Sequence, residues 1–348
     1  MNPSASATPL PVSEQDRLGS IALDQWRGLA LLLVLISHGF YFTDRVNGIG
    51  RVGVNLFFFI SGILVFRSLA RARAATSWAR TKSFWWRRLR RLYPAMLLYV
   101  LAILPVVWLM RNRPNLPPGS DFGTFLATLP AALGCVMNLG REVPVSALGH
   151  LWSIDCEMQF YLIAPLIYLL GGATNRRRNL SFGILLVILI GLGLAQPFIG
   201  KWKFHFVFAV WPMMLGFCCE YKRDWFAKIS PALATLILRS GAAVCGVSLL
   251  AMFFYPGAKL LVVAAGALLL APCLFAYLAG RPILGRAGRA LKWLGVRTYS
   301  IYLWQEPFTI CGFLPGILQP VGAAVAVAVG AAWFHWFERP FLSAGRPK

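Results

Sequence analysis

The sequence predicts an all-α polytopic membrane protein with about ten transmembrane helices, and three observations lead to that prediction. The 348 residues are 58% hydrophobic and 13% charged, whereas a soluble domain carries about a quarter charged residues. The apolar residues form runs long enough to cross the ~30 Å hydrocarbon core of a bilayer. The 34 Lys and Arg residues, which give a net charge of +22, separate these runs. We therefore expect them to set the topology and to contact membrane lipids, and we expect no nucleic-acid partner.

Ten apolar stretches are predicted to cross the membrane. They cover residues 26–42, 52–70, 92–110, 150–171, 181–199, 206–220, 236–255, 259–279, 294–313 and 318–337. A further stretch, 123–139, contains Pro130 and Gly134, and a full crossing there would place the basic residues 176–178 on the outer side. We therefore expect a short re-entrant or interfacial helix in this stretch. The positive-inside rule then predicts that both termini are cytoplasmic.

The same pattern predicts one membrane domain. Residues 1–20 are mostly polar and are expected to form a flexible cytoplasmic N-terminal tail, residues 21–340 the membrane domain, and residues 341–348 a cytoplasmic tail. The first apolar run lacks a basic n-region and a small-residue cleavage site, which favours a retained span over a removed signal peptide. We expect no appended soluble catalytic domain. The seven cysteines lie in or beside apolar stretches without a C-x-x-C pair, so no metal site is predicted.

Ionisable residues in the first span are the strongest sign of function. Arg27 and His38 are eleven positions apart, which places them on the same helix face and roughly 16 Å apart along the axis. Asp24 lies one turn before Arg27 and is expected to pair with it. Ionisable groups are costly inside a bilayer, so His38 is a candidate for a catalytic or ligand-binding role. The alternatives are a neutral imidazole bonded to a neighbouring helix, and an arginine that marks the membrane boundary.

Three further stretches carry polar or basic groups at helical spacing. Arg88 and Arg91 share a face at the inner end of the third span, where they suit a phosphorylated ligand or, alternatively, lipid headgroups. His150 and Glu157 share a face at the outer end of the fourth crossing, with Gln159 nearby. Tyr302 and Gln305 interrupt a later span. Each of the last two stretches predicts either a polar pocket wall or interhelical hydrogen bonding.

Together these stretches resemble the acyltransferase 3 family of bacterial integral-membrane O-acyltransferases over nearly the whole chain. The resemblance rests on six segments in the family's order. The matching residues are Leu23, Asp24, Arg27, Gly28, Ala30, Val34 and His38; Phe57, Phe58, Ile60, Ser61 and Gly62; Arg88, Arg91 and Pro94; His150, Leu151, Trp152, Ser153, Glu157, Gln159, Phe160, Tyr161, Leu162, Pro165 and Leu166; TYSIYLWQEP at 298–307; and Glu338, Pro340 and Phe341. Two positions depart from the family: Gln305 replaces a histidine that many relatives have, and Met158 replaces a second glutamate.

The resemblance implies transfer of an acyl group, most often acetyl, from cytoplasmic acyl-CoA to a hydroxyl of a cell-surface or lipid-linked saccharide. It implies a multi-pass protein of the bacterial inner (cytoplasmic) membrane. His38 is then the expected catalytic base, and Glu157 is expected to orient the imidazole or the acceptor. Arg27, Arg88 and Arg91 are expected to bind the acetyl-CoA or other acyl-CoA donor. The expected substrate-binding residues are Asp24, Ser61, His150, Trp152, Ser153, Gln159, Tyr302 and Gln305.

Three other functions remain open at the level of sequence. A transporter or flippase of acyl or glycan intermediates would use the same polar face without recognising CoA. A macrolide-type small-molecule O-acyltransferase would share the donor and differ in the acceptor. A scaffold of a polysaccharide assembly complex would tolerate the loss of His38. Ser61 or Ser153 as a covalent acyl carrier is a further hypothesis, although neither has a base beside it in sequence.

Overall fold

Helices make up most of the chain that the computed structural model describes. The described residues are 13–40, 47–71, 77–112, 121–140, 147–171, 174–195, 198, 205–254, 259–310 and 318–343, and none of them lies in a β-strand. The all-α prediction is therefore confirmed for these residues. The outer parts of the two predicted tails, residues 1–12 and 344–348, lie outside the described residues.

The described helices follow the predicted order of apolar stretches. They are α1 (Glu14–Gly39), α2 (Asn47–Ala70), α3 (Ser77–Leu109), α4 (Phe122–Leu133), α5 (Leu151–Leu170), α6 (Asn175–Ala195), α7 (Phe206–Ala209), α8 (Trp211–Tyr221), α9 (Arg223–Phe226), α10 (Pro231–Phe254), α11 (Lys259–Leu278), α12 (Gly285–Val296), α13 (Thr298–Phe308), α14 (Gln319–Trp333) and α15 (Arg339–Ser343). A 3₁₀ turn, Met137–Leu139, follows α4, and a π-helical turn, Phe334–Glu338, joins α14 to α15.

Six helical segments in the described part of the chain are long and apolar enough to cross a membrane. They are α1, most of α2, α3, α5, α6 and the segment Gln319–Phe341. The protein is thus a helical membrane protein by length and composition of its helices. The count of ten crossings and the cytoplasmic position of the termini stay predictions.

The first helix begins well before the first apolar stretch. Residues 14–20, which we expected in the flexible tail, form its first turns. The Ser13 hydroxyl accepts a hydrogen bond from the backbone N–H of Asp16 and caps the helix. Asp16 itself pairs with Arg67, Arg71 and Arg223. Capping and ion pairs therefore extend the helix into a polar segment that hydropathy alone assigned to the tail.

Two predicted spans consist of two helices each. The stretch 206–220 is interrupted at Val210, where Pro212 occupies the first turn of α8. The stretch 294–313 begins inside α12, and Arg297 separates α12 from α13. Uniform hydrophobicity hides such breaks, because a helix start depends on local backbone geometry more than on the mean polarity of the stretch.

The first two helices form the centre of the bundle. α1 packs against α2, α11, α12, α13 and α14, while α2 also packs against α3, α5, α8 and α11. Large side chains such as Tyr99, Phe84 and Phe160 are fully buried around them. Because α1, α2, α3, α5 and α13 surround one interior space, the four polar stretches predicted from sequence reach a common region.

Candidate active site

A cavity of about 70 Å³ lies among five helices, α1, α2, α3, α5 and α13. Seven predicted site residues line it: Arg27, Ser61, Arg88, Arg91, Ser153, Glu157 and Tyr302. The remaining wall is mainly apolar and aromatic, with Val54, Phe57, Phe58, Leu64, Leu92, Ile154, Tyr161, Thr298 and Tyr299. Residues far apart in sequence thus meet in one space, with three guanidinium groups facing a single carboxyl group among the lining residues.

The guanidinium groups are fixed by packing. The Arg88 guanidinium lies 4.9 Å from the ring centroid of Tyr161 and donates a hydrogen bond from Nη2 to the Leu64 carbonyl at 3.3 Å. Arg27 lies 3.9 Å from Asp24, which confirms the predicted pairing within α1. Arg91 Nε is buried and has no hydrogen-bond partner. A buried donor without a partner is unfavourable, so an anionic ligand at this wall would satisfy a group that the protein leaves unpaired.

The Glu157 carboxylate accepts hydrogen bonds from two hydroxyl groups. One comes from Ser61 on α2 and the other from Tyr161, one turn further along α5. These contacts fix Glu157 toward the cavity. Glu157 was also expected to orient the His38 imidazole, but the structure shows no hydrogen bond between these two side chains. The imidazole contacts Gln305.

His38 is bonded to Gln305. Its Nδ1 atom contacts Gln305 Oε1, and Gln305 is fully buried on α13. An amide oxygen only accepts hydrogen bonds, so Nδ1 carries the proton in this contact, and the neutral imidazole then has its lone pair on Nε2. The Nε2 atom is directed toward α2, where a Cβ built on Gly50 would lie 3.8 Å from it. His38 and Gln305 do not line the cavity described above, although Gln305 lies on α13 about one turn beyond Tyr302, which does line it.

A second histidine, His150, contacts Glu306, the residue that follows Gln305 on α13. Glu306 Oε2 accepts the backbone N–H of His150 at 2.9 Å and lies 3.2 Å from His150 Nδ1. Ser153 Oγ lies 2.7 Å from the Tyr302 hydroxyl, which also donates to the His150 carbonyl at 3.4 Å. His150 is therefore directed toward α13 and does not line the cavity, whereas Ser153, one turn further along, both contacts Tyr302 and lines it. The common face predicted for His150 and Glu157 stays a prediction.

Five predicted substrate-binding residues do not line the cavity: Asp24, His150, Trp152, Gln159 and Gln305. Gln159 exchanges hydrogen bonds of 2.7 and 2.9 Å with Asn138 and donates to the Cys135 carbonyl at 2.8 Å. Trp152 packs edge-to-face on Phe58, with Arg51 5.0 Å from its ring centroid. Gln159 thus fixes the segment after α4 against α5, and substrate binding by any of the five residues stays a prediction.

Two residues outside the expected site set, Tyr161 and Glu306, take part in the contacts of the site. Tyr161 lines the cavity and contacts both Glu157 and Arg88. Its position four residues after Glu157 on one helix was an available signal. Glu306 holds His150, and it follows Gln305 directly in the sequence. Helical periodicity places these two neighbours ~100° apart and therefore on different faces, but it does not identify which segment each face meets.

Curated relatives are similar in sequence over most of this chain. One is the peptidoglycan O-acetyltransferase OatA of Listeria monocytogenes, 26% identical over 93% of this chain and 56% of the relative. Another is the O-acetyltransferase OatA of Staphylococcus aureus (strain NCTC 8325), 27% identical over 93% of this chain and 57% of the relative. The chain thus spans little more than half the length of these relatives. No solved structure matches it.

The sequence pattern of a whole family also matches. The model of the acyltransferase 3 family, described as an acyltransferase domain, covers residues 20–337. This range contains every residue that lines the cavity, as well as the His38–Gln305 and His150–Glu306 pairs. Because the match extends over far more than half of the sequence, the chain belongs to the acyltransferase 3 family.

Proposed function

We propose that this protein is an integral-membrane O-acyltransferase. It moves an acyl group, for which we propose acetyl, from cytoplasmic acyl-CoA to a hydroxyl of a cell-surface or lipid-linked saccharide. The observation that carries the proposal is the cavity that joins three arginines to hydroxyl-bearing side chains, one of which, Tyr302, lies about one turn before Gln305, the partner of His38. Family membership and the names of the relatives support acyl transfer. Donor, acceptor and the bacterial inner membrane as location are our proposals.

The arginines suit the polyanionic donor. Arg27, Arg88 and Arg91 present three positive charges to the cavity against the single carboxylate of Glu157. Guanidinium groups bind phosphate oxygens with paired hydrogen bonds, and Arg91 Nε is a buried donor that needs an acceptor. We infer that the phosphates of acyl-CoA bind at this wall, with Asp24 limiting the movement of Arg27 through their ion pair.

The distance between arginine and histidine suits the long arm of CoA that carries the thioester. Arg27 and His38 both belong to α1, and eleven residues of helix separate them by roughly 16 Å along the axis. A donor bound by its phosphates near Arg27 would extend along α1 toward His38. The hydroxyls of Ser61, Ser153 and Tyr302 along the cavity wall offer hydrogen bonds to the amides of that arm.

His38 is the proposed general base. Its Nε2 lone pair accepts the proton of the acceptor hydroxyl as the hydroxyl oxygen attacks the thioester carbonyl. When the tetrahedral intermediate collapses, the carbon–sulfur bond breaks and the imidazolium returns the proton to the CoA sulfur. Proton transfer of this kind is worth roughly 10²- to 10⁴-fold in rate. Gln305 maintains the reactive tautomer by accepting from Nδ1.

Acetyl is the proposed acyl group because two of the relatives are named O-acetyltransferases. For the acceptor, a saccharide is favoured because one relative is named for acetylation of peptidoglycan.

The test uses purified protein in membranes that contain acceptor. Wild type is expected to bind acetyl-CoA and release CoA. His38→Ala is expected to bind the donor and to lose roughly 10²- to 10⁴-fold in turnover, whereas Arg88→Ala/Arg91→Ala is expected to lose donor binding. Arg87→Ala is the matched control, because Arg87 is exposed and bonds Ser83 outside the cavity.

Two outcomes contradict the proposal. If wild type binds no acyl-CoA, the donor assignment is wrong and transport of an acyl or glycan intermediate becomes the leading hypothesis. If His38→Ala turns over at the wild-type rate, the base is a different residue. If the protein acylates a macrolide and no saccharide, only the proposed acceptor is wrong.

A further inference from the structure

One face of α12 is both basic and apolar. Arg286, Arg289 and Lys292 are exposed along it, together with Trp293 (41% exposed) and Val296 (39%). Leu284, immediately before the helix, is 83% exposed. Residues 283–296 contain no acidic residue. We refer to these six residues as the basic face of α12.

The opposite side of α12 is fixed to α1 along its whole length. At the start, Gln25 donates to the carbonyls of Ile283 (2.8 Å) and Gly288 (3.1 Å) and accepts the N–H of Ile283 at 2.7 Å. At the other end, the two backbones nearly touch, since a Cβ on Gly295 would lie 1.7 Å from the Asp24 carbonyl oxygen. α12 therefore cannot shift without moving the turn of α1 that carries Asp24 and Arg27.

α12 is also connected to a second wall of the cavity through the next helix, α13. Arg297 separates α12 from α13, and Thr298, Tyr299 and Tyr302 of α13 line the cavity. Arg297 stacks 4.4 Å above the Trp293 ring and donates to the Trp293 carbonyl at 3.1 Å. The position of α12 thus fixes two walls of the proposed donor site.

We propose that anionic phospholipid headgroups bind the basic face of α12 and thereby hold Arg27 and α13 in the arrangement that binds the acyl donor. Affinity for acyl-CoA then depends on the anionic lipid content of the membrane. The lipid-binding half of this proposal stands alone, whereas the regulatory half rests on the function proposed above.

The chemistry of the face favours a lipid surface. Twelve residues give a helix of about 18 Å, too short to cross the ~30 Å hydrocarbon core. A short helix with Lys and Arg beside Trp and Leu lies in the interface, where its basic groups bind anionic headgroups and its apolar groups enter the acyl boundary. Its contact with residues 24–28 places it at the end of α1 that holds the donor arginine.

Lipid binding is measured without any reaction. The full chain is reconstituted in phosphatidylcholine vesicles with or without an equal part of phosphatidylglycerol, including a trace of photoreactive phosphatidylglycerol. Cross-links are expected within residues 283–296, and Arg286→Gln/Arg289→Gln is expected to reduce them by about fivefold for each charge removed. Lys222→Gln/Lys228→Gln removes two exposed basic residues that lie outside α12 and is expected to leave these cross-links unchanged.

Donor affinity is measured in the same vesicles. For wild type, the Kd of acetyl-CoA is expected to be about fivefold or more lower with phosphatidylglycerol, and Arg286→Gln/Arg289→Gln is expected to abolish that dependence. Absence of cross-links in residues 283–296 overturns lipid binding at α12. A variant that weakens donor binding equally in both vesicle types overturns the regulation, because the arginines would then contact the donor directly. If no vesicle supports donor binding by wild type, the proposed function fails, whatever the cross-links show.

Discussion

The imidazole of His38 is bonded through Nδ1 to the side-chain amide of Gln305. Glutamine has no charged form, so at this position it contributes an acceptor and no second titrating group. A mechanism with two histidines at this point is thus not available to this chain. If His38 is the general base, as we propose, its remaining ring nitrogen is the one that accepts the proton.

Replacing Gln305 by Leu tests whether catalysis depends on this contact. The apolar side chain fills much of the same volume but removes the acceptor, so the imidazole loses its fixed orientation. We expect kcat to fall on the order of 10², as for other small misplacements of a reacting group, with donor affinity unchanged. Steady-state kinetics separate the two parameters. Gln305→His restores an acceptor and is the matched control; equal rates for the Leu variant and wild type would show that His38 acts without Gln305.

At the scale of elements, close contact between α1 and α12 positions the candidate site. A Cβ on Gly28 would lie 2.0 Å from the Leu291 carbonyl oxygen, so any larger residue forces these backbones apart. Helical periodicity identified the polar face of α1. It gave no information on which helix lies behind that face, because this depends on the packing of segments that are distant in sequence.

Gly28→Ala is therefore expected to destabilise the protein by about 1–3 kcal/mol, the range for overpacked cores. Thermal unfolding in detergent measures the effect. Gly183→Ala is the control within another helix, since a Cβ there meets nothing within 4 Å. Alanine in a helix interior is favoured over glycine by roughly 0.5–1 kcal/mol. Similar losses for both variants would mean that contact with α12 does not explain the glycine.

The sequence predicted the cavity better than the contacts around it. Arg27, Arg88, Arg91 and Glu157 were found because their helical spacing and the family resemblance each selected them. The pairs His38–Gln305 and His150–Glu306 join helices that are more than 150 residues apart, and neither spacing nor composition contains that information. The break at Arg297 was missed for a related reason, since hydropathy averages over it.

At the scale of the whole molecule, the carboxylate of Asp16 joins three segments. It lies 2.6 Å from Arg223 and 3.4 Å from both Arg67 and Arg71. The start of α1, the end of α2 and the short helix α9 therefore lie at one end of the bundle. The positive-inside rule assigned these basic residues to one side of the membrane, and their contact agrees with that relative arrangement. Which compartment faces this end stays a prediction.

Asp16→Asn leaves these arginines without their shared counter-charge, and Arg67 is only 8% exposed. We expect a loss of about 1–3 kcal/mol in stability, measured as thermal unfolding in detergent. Glu14→Gln removes an ion pair with Arg17 whose side chains are 71% and 63% exposed, so it should change stability by less than about 1 kcal/mol. Equal effects of the two substitutions would show that Asp16 does not join the segments energetically.

The position of Arg27 and His38 on one unbroken helix has a consequence for truncated donors. A short acetyl thioester without phosphates cannot use the arginines, but its carbonyl can still reach the imidazole. With such a compound, we expect wild type to react slowly and Arg88→Ala/Arg91→Ala to react at the same low rate, while His38→Ala stays inactive. Rates of acetyl transfer from the truncated thioester would decide this, and a further loss in the double arginine variant would contradict it. If the expectation holds, recognition and chemistry are separable along α1, and the enzyme could be adapted to acyl donors that lack a nucleotide.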